Sequence, residues 1–343
     1  MRIATYNVEW MNALFDDDGR PLQDGQWSAR WKVTRAQQFE ALGIVFTAID
    51  ADAVMIVEAP AESRRRSTVG ALESFAALFG LRQRRAVIGF PNQTEQEIAL
   101  LYDPDRLSAV HRPLGAFAGK KGSADAPRFD GSFQIELDID ATLAVVQFSK
   151  PPLELALETA AGAALGMIGV HVKSKAPHGA RSPDEIMRQS IANRRKQLAQ
   201  CIWLRQRIDE HLLVHDPLIV LGDFNDGPGL DEYEKLFGRS GLEIVLGEGR
   251  SSPEQLFDPN ARSVLSGPTV ARPSSARFYN DRTKRYVSAL LDYVMVSPDL
   301  CRRDPRWRIW HPFEDAAIYR VPELREALLA ASDHFPVTLD IDL

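Results

Sequence analysis

The chain has 343 residues, 45% of them hydrophobic and 26% charged, and its formal net charge is −6 at pH 7. The hydrophobic content suffices for a large core, and the acidic balance argues against a surface built for non-specific nucleic-acid binding, although local basic clusters could still hold phosphates. Only two cysteines occur, Cys201 and Cys301, without metal-ligand spacing, which argues against a disulfide framework and a thiolate zinc site.

The first third of the chain alternates strands with helices. Residues 2–8 alternate as a strand, with no charged leader and cleavage site before it, so we expect a cytoplasmic protein. Apolar spacing predicts a helix from about 33 to 49, and the run "AVMIVEA" (53–59) predicts a buried strand. Further elements are predicted at 68–80 (helix), 85–90 (strand) and 97–102 (strand).

The rest of the chain adds more strands and one long helix. Its most apolar segment, residues 153–172, carries Glu154 and Glu158, which argues against a membrane span. No linker or short repeat divides the sequence, so we expect one domain over residues 1–343 with loop insertions. The predicted elements are a loop at 103–132, strand-like segments within 133–148, strands at 166–172, 218–224 and 289–297, a helix from about 183 to 213, and a terminal strand after His334.

The stretch "IVLGDFNDGPG" (219–229) ends a predicted buried strand on Asp223 and Asn225. Asp226 to Gly229 form a turn sequence, and turn formation alone is one interpretation of the two polar residues. However, Asp223 and Asn225 alternate with Phe224 and therefore share a face of the strand. Polar residues also stand at the borders of other predicted strands, and the whole set is Asn7, Glu9, Glu58, His171, Asp223, Asn225, Asp292, Asp333 and His334.

The residue types in this set suit a hard divalent cation. Carboxylate oxygens are the ligands that Mg²⁺ and Mn²⁺ prefer, whereas the histidines are too sparse to favour zinc. Each residue taken singly has a structural interpretation, such as ending a strand or accepting a hydrogen bond. The recurrence of the pattern at six strand borders instead predicts a phosphate-cleaving site with Mg²⁺ or Mn²⁺.

Six short blocks occur in order along the chain, namely "TYNVEW", "IVEAP", "GVHVKSK", "LGDFND", "LDYVMVS" and "SDHFPV". In this order they resemble the signature blocks of the endonuclease/exonuclease/phosphatase superfamily, and they reach both ends of the chain. The resemblance implies a four-layer α-β-β-α sandwich, an α/β fold in which two mixed sheets pack face to face between helices. The alternation of helices and strands by itself would also allow a doubly wound parallel sheet. It also implies an active site at one edge of the sandwich, where loops from both sheets meet.

The resemblance implies a metal-binding role for three acidic residues. Glu58 matches the main metal-binding glutamate, Glu9 matches a position that contributes to the metal or its water shell, and Asp333 could supply a further ligand. Val57 departs from the pattern, because many members carry glutamine immediately before the metal-binding glutamate. A contact beside the metal or with the substrate is therefore expected to differ here.

Catalytic and substrate-binding roles follow from the same resemblance. Asp223 is implied to be the general base for the attacking water, and Asn225 to contact the scissile phosphate. His334, oriented by Asp292, is implied to bind a phosphate oxygen or assist the leaving group. The remaining candidates are His171 as a second phosphate-contacting histidine, Asn7 as a substrate-binding amide and Lys173 as added positive charge.

Three functions remain open from the sequence. We expect a metal-dependent phosphodiesterase that acts on DNA or RNA, with basic runs such as Arg64–Arg66 and Arg194–Lys196 as candidate phosphate contacts. The alternative is a phosphomonoesterase acting on a small phosphorylated molecule or a lipid head group. A binding or scaffolding protein that has lost turnover is a third possibility, against which the retained site residues argue.

Overall fold

A computed structural model describes residues 1–92, 94–136, 143–177, 179–227, 237–266, 272–280 and 284–343. Parts of the predicted strand-like segments (137–142) and of the predicted turn (228–229) lie outside these residues. The strands described are β1 (Arg2–Asn7), β2 (Ala53–Ala59), β3 (Arg85–Ile88), β4 (Glu97–Tyr102), β5 (Leu107–His111), β6 (Phe133–Glu136), β7 (Leu143–Val146), β8 (Leu153–Thr159), β9 (Ala164–His171), β10 (Leu218–Asp223), β11 (Ala276–Asn280), β12 (Arg285–Ala289), β13 (Asp292–Val296), β14 (Arg306–Ile309) and β15 (Val337–Asp340). The helices are α1 (Arg35–Ile49), α2 (Thr68–Leu78), α3 (Pro183–Leu213), α4 (Gly241–Leu246), α5 (Pro259–Leu265), α6 (Ala316–Tyr319) and α7 (Pro322–Ala331).

Two large mixed sheets form the centre of the fold. The first has the strand order β14-β15-β1-β2-β4-β3 and the second β13-β10-β9-β8-β5. Each sheet contains one parallel pair, β1 with β2 and β9 with β10, and its other pairs are antiparallel. Two hairpins, β6–β7 and β11–β12, stand beside the large sheets.

Alternation along the strands divides the buried side chains among three cores. In β1, Ile3 belongs to the core between the two sheets, whereas Tyr6 faces the core beneath α1, α2 and α7. In β10, Ile219 belongs to the core between the sheets and Val220 faces the core beneath α3 and α4. Because the central strands β1 and β10 bury both faces, the layers follow one another as helices, sheet, sheet and helices, and the predicted α-β-β-α sandwich is confirmed.

Glycine permits the two sheets to approach closely at one point in the central core. A Cβ atom placed on Gly169, in β9, would lie 2.3 Å from the Sδ atom of Met55 in β2. No side chain fits at that distance, so glycine here allows the thioether to pack against the backbone of the facing sheet. The contact fixes how β2 and β9 align, and the polar ends of both strands reach the same edge.

The long helix α3 covers the second sheet and starts at a strong signal. Ser182 accepts a hydrogen bond from the backbone of Glu185, whose side chain bonds back to the backbone N–H of Ser182, and Pro183 occupies the first turn. The predicted helix at 183–213 is therefore confirmed. Every helix in the described ranges is too short or too polar to cross a membrane.

The predicted loop at 103–132 is wrong in part, because residues 107–111 form strand β5. This strand pairs with β8 at the edge of the second sheet. Only Leu107 in it is fully buried, while Ser108 and Val110 are exposed. An edge strand with one exposed face has a weak apolar pattern, which explains why the sequence signal was missed.

Candidate active site

Six strands bring polar residues to one edge of the packed sheets. Strands β1, β2, β9 and β10 end at this edge, whereas β13 and β15, which run antiparallel to β10 and β1, begin there. In the second sheet, Asp223 stands in register with both His171 and Asp292. The Nδ2 atom of Asn7, at the end of β1, donates to Oδ2 of Asp223 at 3.1 Å. This hydrogen bond connects the two sheets at the centre of the site.

Asp223 is a buried carboxylate held by neutral donors. Its Oδ1 accepts from the backbone N–H of Asn225 at 2.8 Å, and its Oδ2 accepts from the side-chain amides of Asn225 and Asn7, each at 3.1 Å. Burial raises the pKa of Asp223 to about 7; the charge of His334 opposes this shift and that of Asp292 adds to it. A carboxylate with this pKa exchanges a proton near neutral pH, as a general base must.

The backbone is strained where the chain enters the site. Glu9, Trp10, Glu58 and Asn225 are non-glycine residues with φ values of 47°, 58°, 65° and 49°. Such conformations cost on the order of 1–3 kcal/mol each and cluster at functional sites. Next to Asp223, Gly222 has φ 138°, and a Cβ atom there would lie only 2.1 Å from a carbonyl oxygen of β9. The fold thus accepts local strain to aim these side chains.

His334 forms a pair with Asp292. The Nδ1 atom of His334 lies 2.7 Å from Oδ2 of Asp292, and the same oxygen accepts from the hydroxyl of Ser275 at 2.8 Å. Burial alone would lower the pKa of His334, but the carboxylates of Asp292 and Asp223 raise it well above its usual range. The imidazole is therefore charged, and its Nε2–H lies 4.0 Å from oxygens of both Asp223 and Asp333.

His171 is in the opposite state of protonation. Burial, followed by the positive charge of Lys150, lowers the pKa of His171 well below its usual value, so the ring is neutral. Its Nε2 atom lies 3.2 Å from Nζ of Lys150, 3.6 Å from Oδ2 of Asp223 and 4.0 Å from Oε1 of Glu58. The two histidines thus present one charged and one neutral ring to the same carboxylate.

Lys150 and Ser275 are site residues that the sequence reasoning missed. Burial lowers the pKa of Lys150, while the carboxylates of Glu58 and Asp223 oppose that shift, so its ammonium faces the acidic centre. Lys150 stands immediately before Pro151 at the border of a predicted strand, and the rule that selected the other polar residues would have found it. Ser275 orients Asp292 from β11's amino-terminal flank, and we find no sequence signal for it.

Glu58 is positioned by the backbone rather than by a neighbouring side chain. Its Oε2 accepts from the backbone N–H of Trp10 at 2.9 Å, while Oε1 faces His171. The residue occupies a bulge between β2 and β4, where the strand pairing shifts. Val57, the position that departs from the superfamily pattern, is fully buried and offers no polar group to the site.

Glu9 lies beside the same edge but is already engaged by protein groups. It forms an ion pair with Arg30, and its Oε2 accepts from the backbone N–H of Asp333 at 2.8 Å. Burial and the negative charge of Asp333 raise the pKa of Glu9 to about 7 despite the contact with Arg30. Glu9 therefore holds the segment that carries Asp333 and His334.

The donor set of the site fits a divalent cation. Glu58 has an oxygen directed into the site, and Oδ1 of Asp292 is buried and without a hydrogen-bond partner in the described part of the chain. One atom each from Asp223, Asp292 and His334 also lies within 4.8 Å of the others, which is metal-ligand spacing. His334 is a charged donor here and would have to lose its proton to bind a metal. The carboxylates are therefore better suited than this imidazole to bind a cation.

Lys173, the predicted lysine, and its neighbour Lys175 have different surroundings in the structure. The backbone N–H of Lys173 donates to Oε1 of Gln200 at 2.8 Å, and its half-buried side chain has a pKa lowered by burial and by Lys196. Lys175 instead pairs with the buried Asp226 at 2.7 Å. Lys173 thus keeps its charge available beside His171, whereas the charge of Lys175 is neutralised.

The basic runs Arg64–Arg66 and Arg194–Lys196 contain both buried, paired residues and exposed ones. Arg194 is fully buried and pairs with Asp226 at 2.9 Å, and Arg66 is buried against backbone carbonyls, with its Nε donating to that of Asp16 at 2.8 Å. Neither residue is a surface phosphate contact, so the prediction for these two members of the runs is wrong. The guanidinium groups of both residues are buried and hydrogen-bonded to neighbouring segments of the chain. The spacing of residues in the sequence does not reveal such burial. Arg195 remains exposed and Lys196 partly so.

Comparison with known proteins gives one family and a set of similar folds. Residues 4–334 match the profile of the endonuclease/exonuclease/phosphatase family. No curated protein sequence matches significantly. An AP endonuclease from Archaeoglobus fulgidus has a similar fold at 13% identity, with a TM-score of 0.50 and 100% of both chains covered. Truncated TDP2 from Caenorhabditis elegans gives 13% identity and a TM-score of 0.50, covering 100% of this chain and 97% of the other.

Proposed function

This chain belongs to the endonuclease/exonuclease/phosphatase family, whose members are hydrolytic phosphoesterases, and on that premise we propose that it is a divalent-metal-dependent phosphodiesterase acting on nucleic acid. The observation that carries the proposal is one cluster of buried side chains in which a carboxylate with a pKa of about 7, Asp223, lies beside a charged histidine, His334. A base and a cationic donor 4.0 Å apart are the two groups that attack of water on phosphorus requires.

Asp223 is proposed to accept the proton of the attacking water. Asn7 and the amide of Asn225 fix the orientation of its carboxylate without neutralising it. As the water oxygen bonds to phosphorus, its proton passes to Asp223, and the bond from phosphorus to the leaving oxygen breaks. Neutral amides suit this role because they leave the basicity of the carboxylate intact, which an ion pair would lower.

His334, Lys150 and Lys173 are proposed to meet the negative charge of the phosphoryl group. The Nε2–H of His334 is free to donate to a non-bridging oxygen or to the leaving oxygen, since Nδ1 is bonded to Asp292. The ammonium of Lys150 lies 3.2 Å from Nε2 of His171, which is itself 3.6 Å from Oδ2 of Asp223. His171, being neutral, orients this lysine and does not add charge of its own.

Glu58 is proposed as the main ligand of Mg²⁺ or Mn²⁺. Asp333 and the neighbouring carboxylates of the site are proposed as further oxygen donors, and Glu9 is proposed to hold the segment that carries Asp333 in place. When bound, the cation would neutralise charge that develops on the phosphoryl oxygens. The bulge at Glu58 and the bond from Trp10 orient its carboxylate before any ligand arrives.

The charge of the site favours a diester over a monoester. Glu58, Asp223, Asp292 and Asp333 surround the position that the phosphate would take, and their charges repel a dianionic monoester more strongly than a monoanionic diester. Nucleic acids are the diesters that the exposed cations beside the site would also hold. A phosphomonoesterase acting on a small molecule or a lipid head group is the second candidate, because Lys150 and Lys173 supply charge close to the centre.

Hydrolysis of a substrate panel tests the proposal. The panel comprises a small phosphodiester, a phosphomonoester, and single- and double-stranded DNA and RNA, each with Mg²⁺, with Mn²⁺ and with a chelator. We expect metal-dependent cleavage of nucleic acid that is lost in Asp223→Asn. Activity on the monoester alone would move the protein to the phosphatase branch, and metal-independent cleavage would contradict the assignment of Glu58. The cytoplasmic location and the single-domain organisation stay predictions.

A further inference from the structure

A cavity of about 580 Å³ lies between the β6–β7 hairpin and helix α3. Its walls carry three cationic side chains, Lys120, Arg195 and Lys196, and none of them forms an ion pair with any residue that the structure describes. In a chain with a net charge of −6, three unpaired cations around one cavity are a local concentration of positive charge. None of the residues that line the cavity belongs to the Asp223–His334 cluster.

A rigid connection joins this cavity to the catalytic edge. Buried Gln200 of α3 donates from Nε2 to the carbonyl oxygen of Gln147, a cavity residue, at 3.1 Å. The Oε1 atom of Gln200 accepts from the backbone N–H of Lys173 at 2.8 Å. One buried amide therefore holds the cavity wall against the strand end that presents His171 and Lys173.

The positive charges form a continuous series between the two places. Lys196 lies one helical turn before Gln200 on α3, and Oε1 of Gln200 accepts from the backbone N–H of Lys173. Nζ of Lys150 lies 3.2 Å from Nε2 of His171, two residues before Lys173. Gln147 precedes Lys150 by three residues, so their Cα atoms are at most about 11 Å apart. The series from Lys120 to Lys150, which we call the basic track, runs from the cavity to the catalytic edge.

The cavity is also partly apolar. Leu143 and Val145, on the same face of β7, are 63% and 46% exposed and line it. Exposed apolar side chains between cations suit a ligand that alternates charged with flat or apolar parts. A nucleic-acid strand has this character, because its phosphates are spaced by sugars and bases. The volume is that of a small-molecule pocket, which admits nucleotides of one strand rather than a duplex.

We propose that the basic track binds the phosphates of a single nucleic-acid strand beyond the scissile bond, with the cavity at β7 and α3 as a subsite for a neighbouring nucleotide. This inference rests on the proposed function, since it takes Asp223 and His334 as the place of cleavage. It goes further in assigning a single strand as substrate and the direction in which the strand leaves the site. The fixed separation of cavity and catalytic edge also makes chain length a determinant of turnover.

The double variant Lys120→Gln/Arg195→Gln tests the track without altering the catalytic groups. A matched control is Arg302→Gln/Arg303→Gln, which removes two exposed cations at the opposite end of β9, near Ala164 and Leu165. Binding of a labelled single-stranded oligonucleotide is measured across a salt series in the presence of a chelator, so that no cleavage occurs. Hydrolysis of a small phosphodiester with metal is measured in parallel.

We expect the track variant to bind the oligonucleotide about tenfold more weakly at low salt, with the slope of log affinity against log salt reduced by about 1.4, as two lost contacts to a single strand predict. The control variant should match the wild type, and all three proteins should hydrolyse the small diester equally. An unchanged slope in the track variant, or an equal loss in the control variant, would overturn the proposal.

The same design separates this inference from the proposed function. If the wild type binds the strand with the expected salt dependence but hydrolyses no phosphoester, the catalytic proposal fails and the track stands. If it hydrolyses the small diester but the track variant binds the strand as tightly as the wild type, the track fails and the catalytic proposal stands. A preference of the wild type for duplex over single strand would also contradict the track.

Discussion

The two ends of the sandwich handle buried aspartates in opposite ways. At the end away from the site, Asp52 accepts from the backbone N–H of Arg2 at 2.6 Å and pairs with Arg82 at 2.7 Å and Arg106 at 3.3 Å. Although burial opposes the shift, these partners hold the pKa of Asp52 below its usual range. At the catalytic end, Asp223 is more deeply buried and is bonded by amides, and its pKa is raised to about 7.

The difference shows what each end is built for. Arginines around Asp52 fix its negative charge and tie β1, β2 and the following segments together, so this end contributes stability. Amides around Asp223 fix its position but leave its proton exchangeable, so this end retains reactivity at a cost in stability. Predictions that separate activity from stability therefore test the comparison directly.

The largest expected effect is that of Asp223→Asn. Removing the proposed base should lower kcat on a cleavable phosphodiester by about 10³-fold, whereas the free energy of unfolding should stay within ~1 kcal/mol, because His334 keeps its closer ion pair with Asp292. Steady-state kinetics with metal measure the change in kcat. Chemical denaturation in the presence of a chelator measures the change in stability. A variant that keeps its kcat, or that is strongly destabilised, would contradict the assignment of reactivity to the Asp223 end and stability to the Asp52 end.

Next in size is the effect of Glu58→Gln on metal binding. The amide oxygen can still accept from the backbone N–H of Trp10, so the bulge should persist while the charge is lost. We expect affinity for Mg²⁺ or Mn²⁺ to fall about 100-fold, because the proposed main ligand of the ion loses its negative charge. Calorimetric titration of the metal measures this, and equal affinity in the two proteins would show that another carboxylate set binds the ion.

A smaller effect is expected for Lys150→Met, which keeps the apolar stem and removes the charge. We expect kcat/KM on a phosphodiester to fall about tenfold, because one cation near the phosphoryl group is lost while Asp223 and His334 remain. Arg106→Met, which removes one partner of Asp52 at the other end, is the matched control and should leave kcat/KM unchanged. Equal losses in the two variants would mean that general destabilisation causes both.

The smallest expected effect on turnover, none, belongs to Asp52→Asn. This variant should lose about 1–2 kcal/mol of stability, less than a fully buried pair costs, because Arg82 is one-third exposed. The pKa of Asp52 is lowered in the folded state, so its contribution is present above the unfolded pKa of about 4 and fades as pH falls. Denaturation should show a smaller difference in the free energy of unfolding between variant and wild type at pH 3 than at pH 7. A larger difference at pH 3 would contradict the lowered pKa of Asp52.

The resemblance of the six sequence blocks to the family was sufficient for the four-layer fold, which the alternation of helices and strands alone did not distinguish from a doubly wound parallel sheet. Asp223, His171 and His334 were predicted at strand borders and do converge, whereas Lys150 was missed. The metal assignment of Glu58, Glu9 and Asp333 stays a prediction. Strand β5 escaped notice because only one of its faces is buried, so its apolar pattern is weak.

Contacts that depend on tertiary placement could not be predicted. Nothing in the sequence distinguishes Arg194, which is buried against Asp226, from its exposed neighbour Arg195. The support of Asp292 by Ser275 likewise arises only when the segment before β11 folds against β13. The environments that shift the pKa of Asp223 upward and of His171 downward are properties of the assembled edge.

Because of the hydrogen bond from Asn7 to Asp223, the geometry of the site depends on how the two sheets are aligned. The donor belongs to one sheet and the acceptor to the other, so a slide of a single ångström between them would separate the pair while leaving every strand intact. Catalytic competence should therefore be the first property to vanish during gradual denaturation, ahead of any loss of circular dichroism. Loss of activity would then report a small displacement of one sheet relative to the other, and recovery of turnover would mark the last step of refolding.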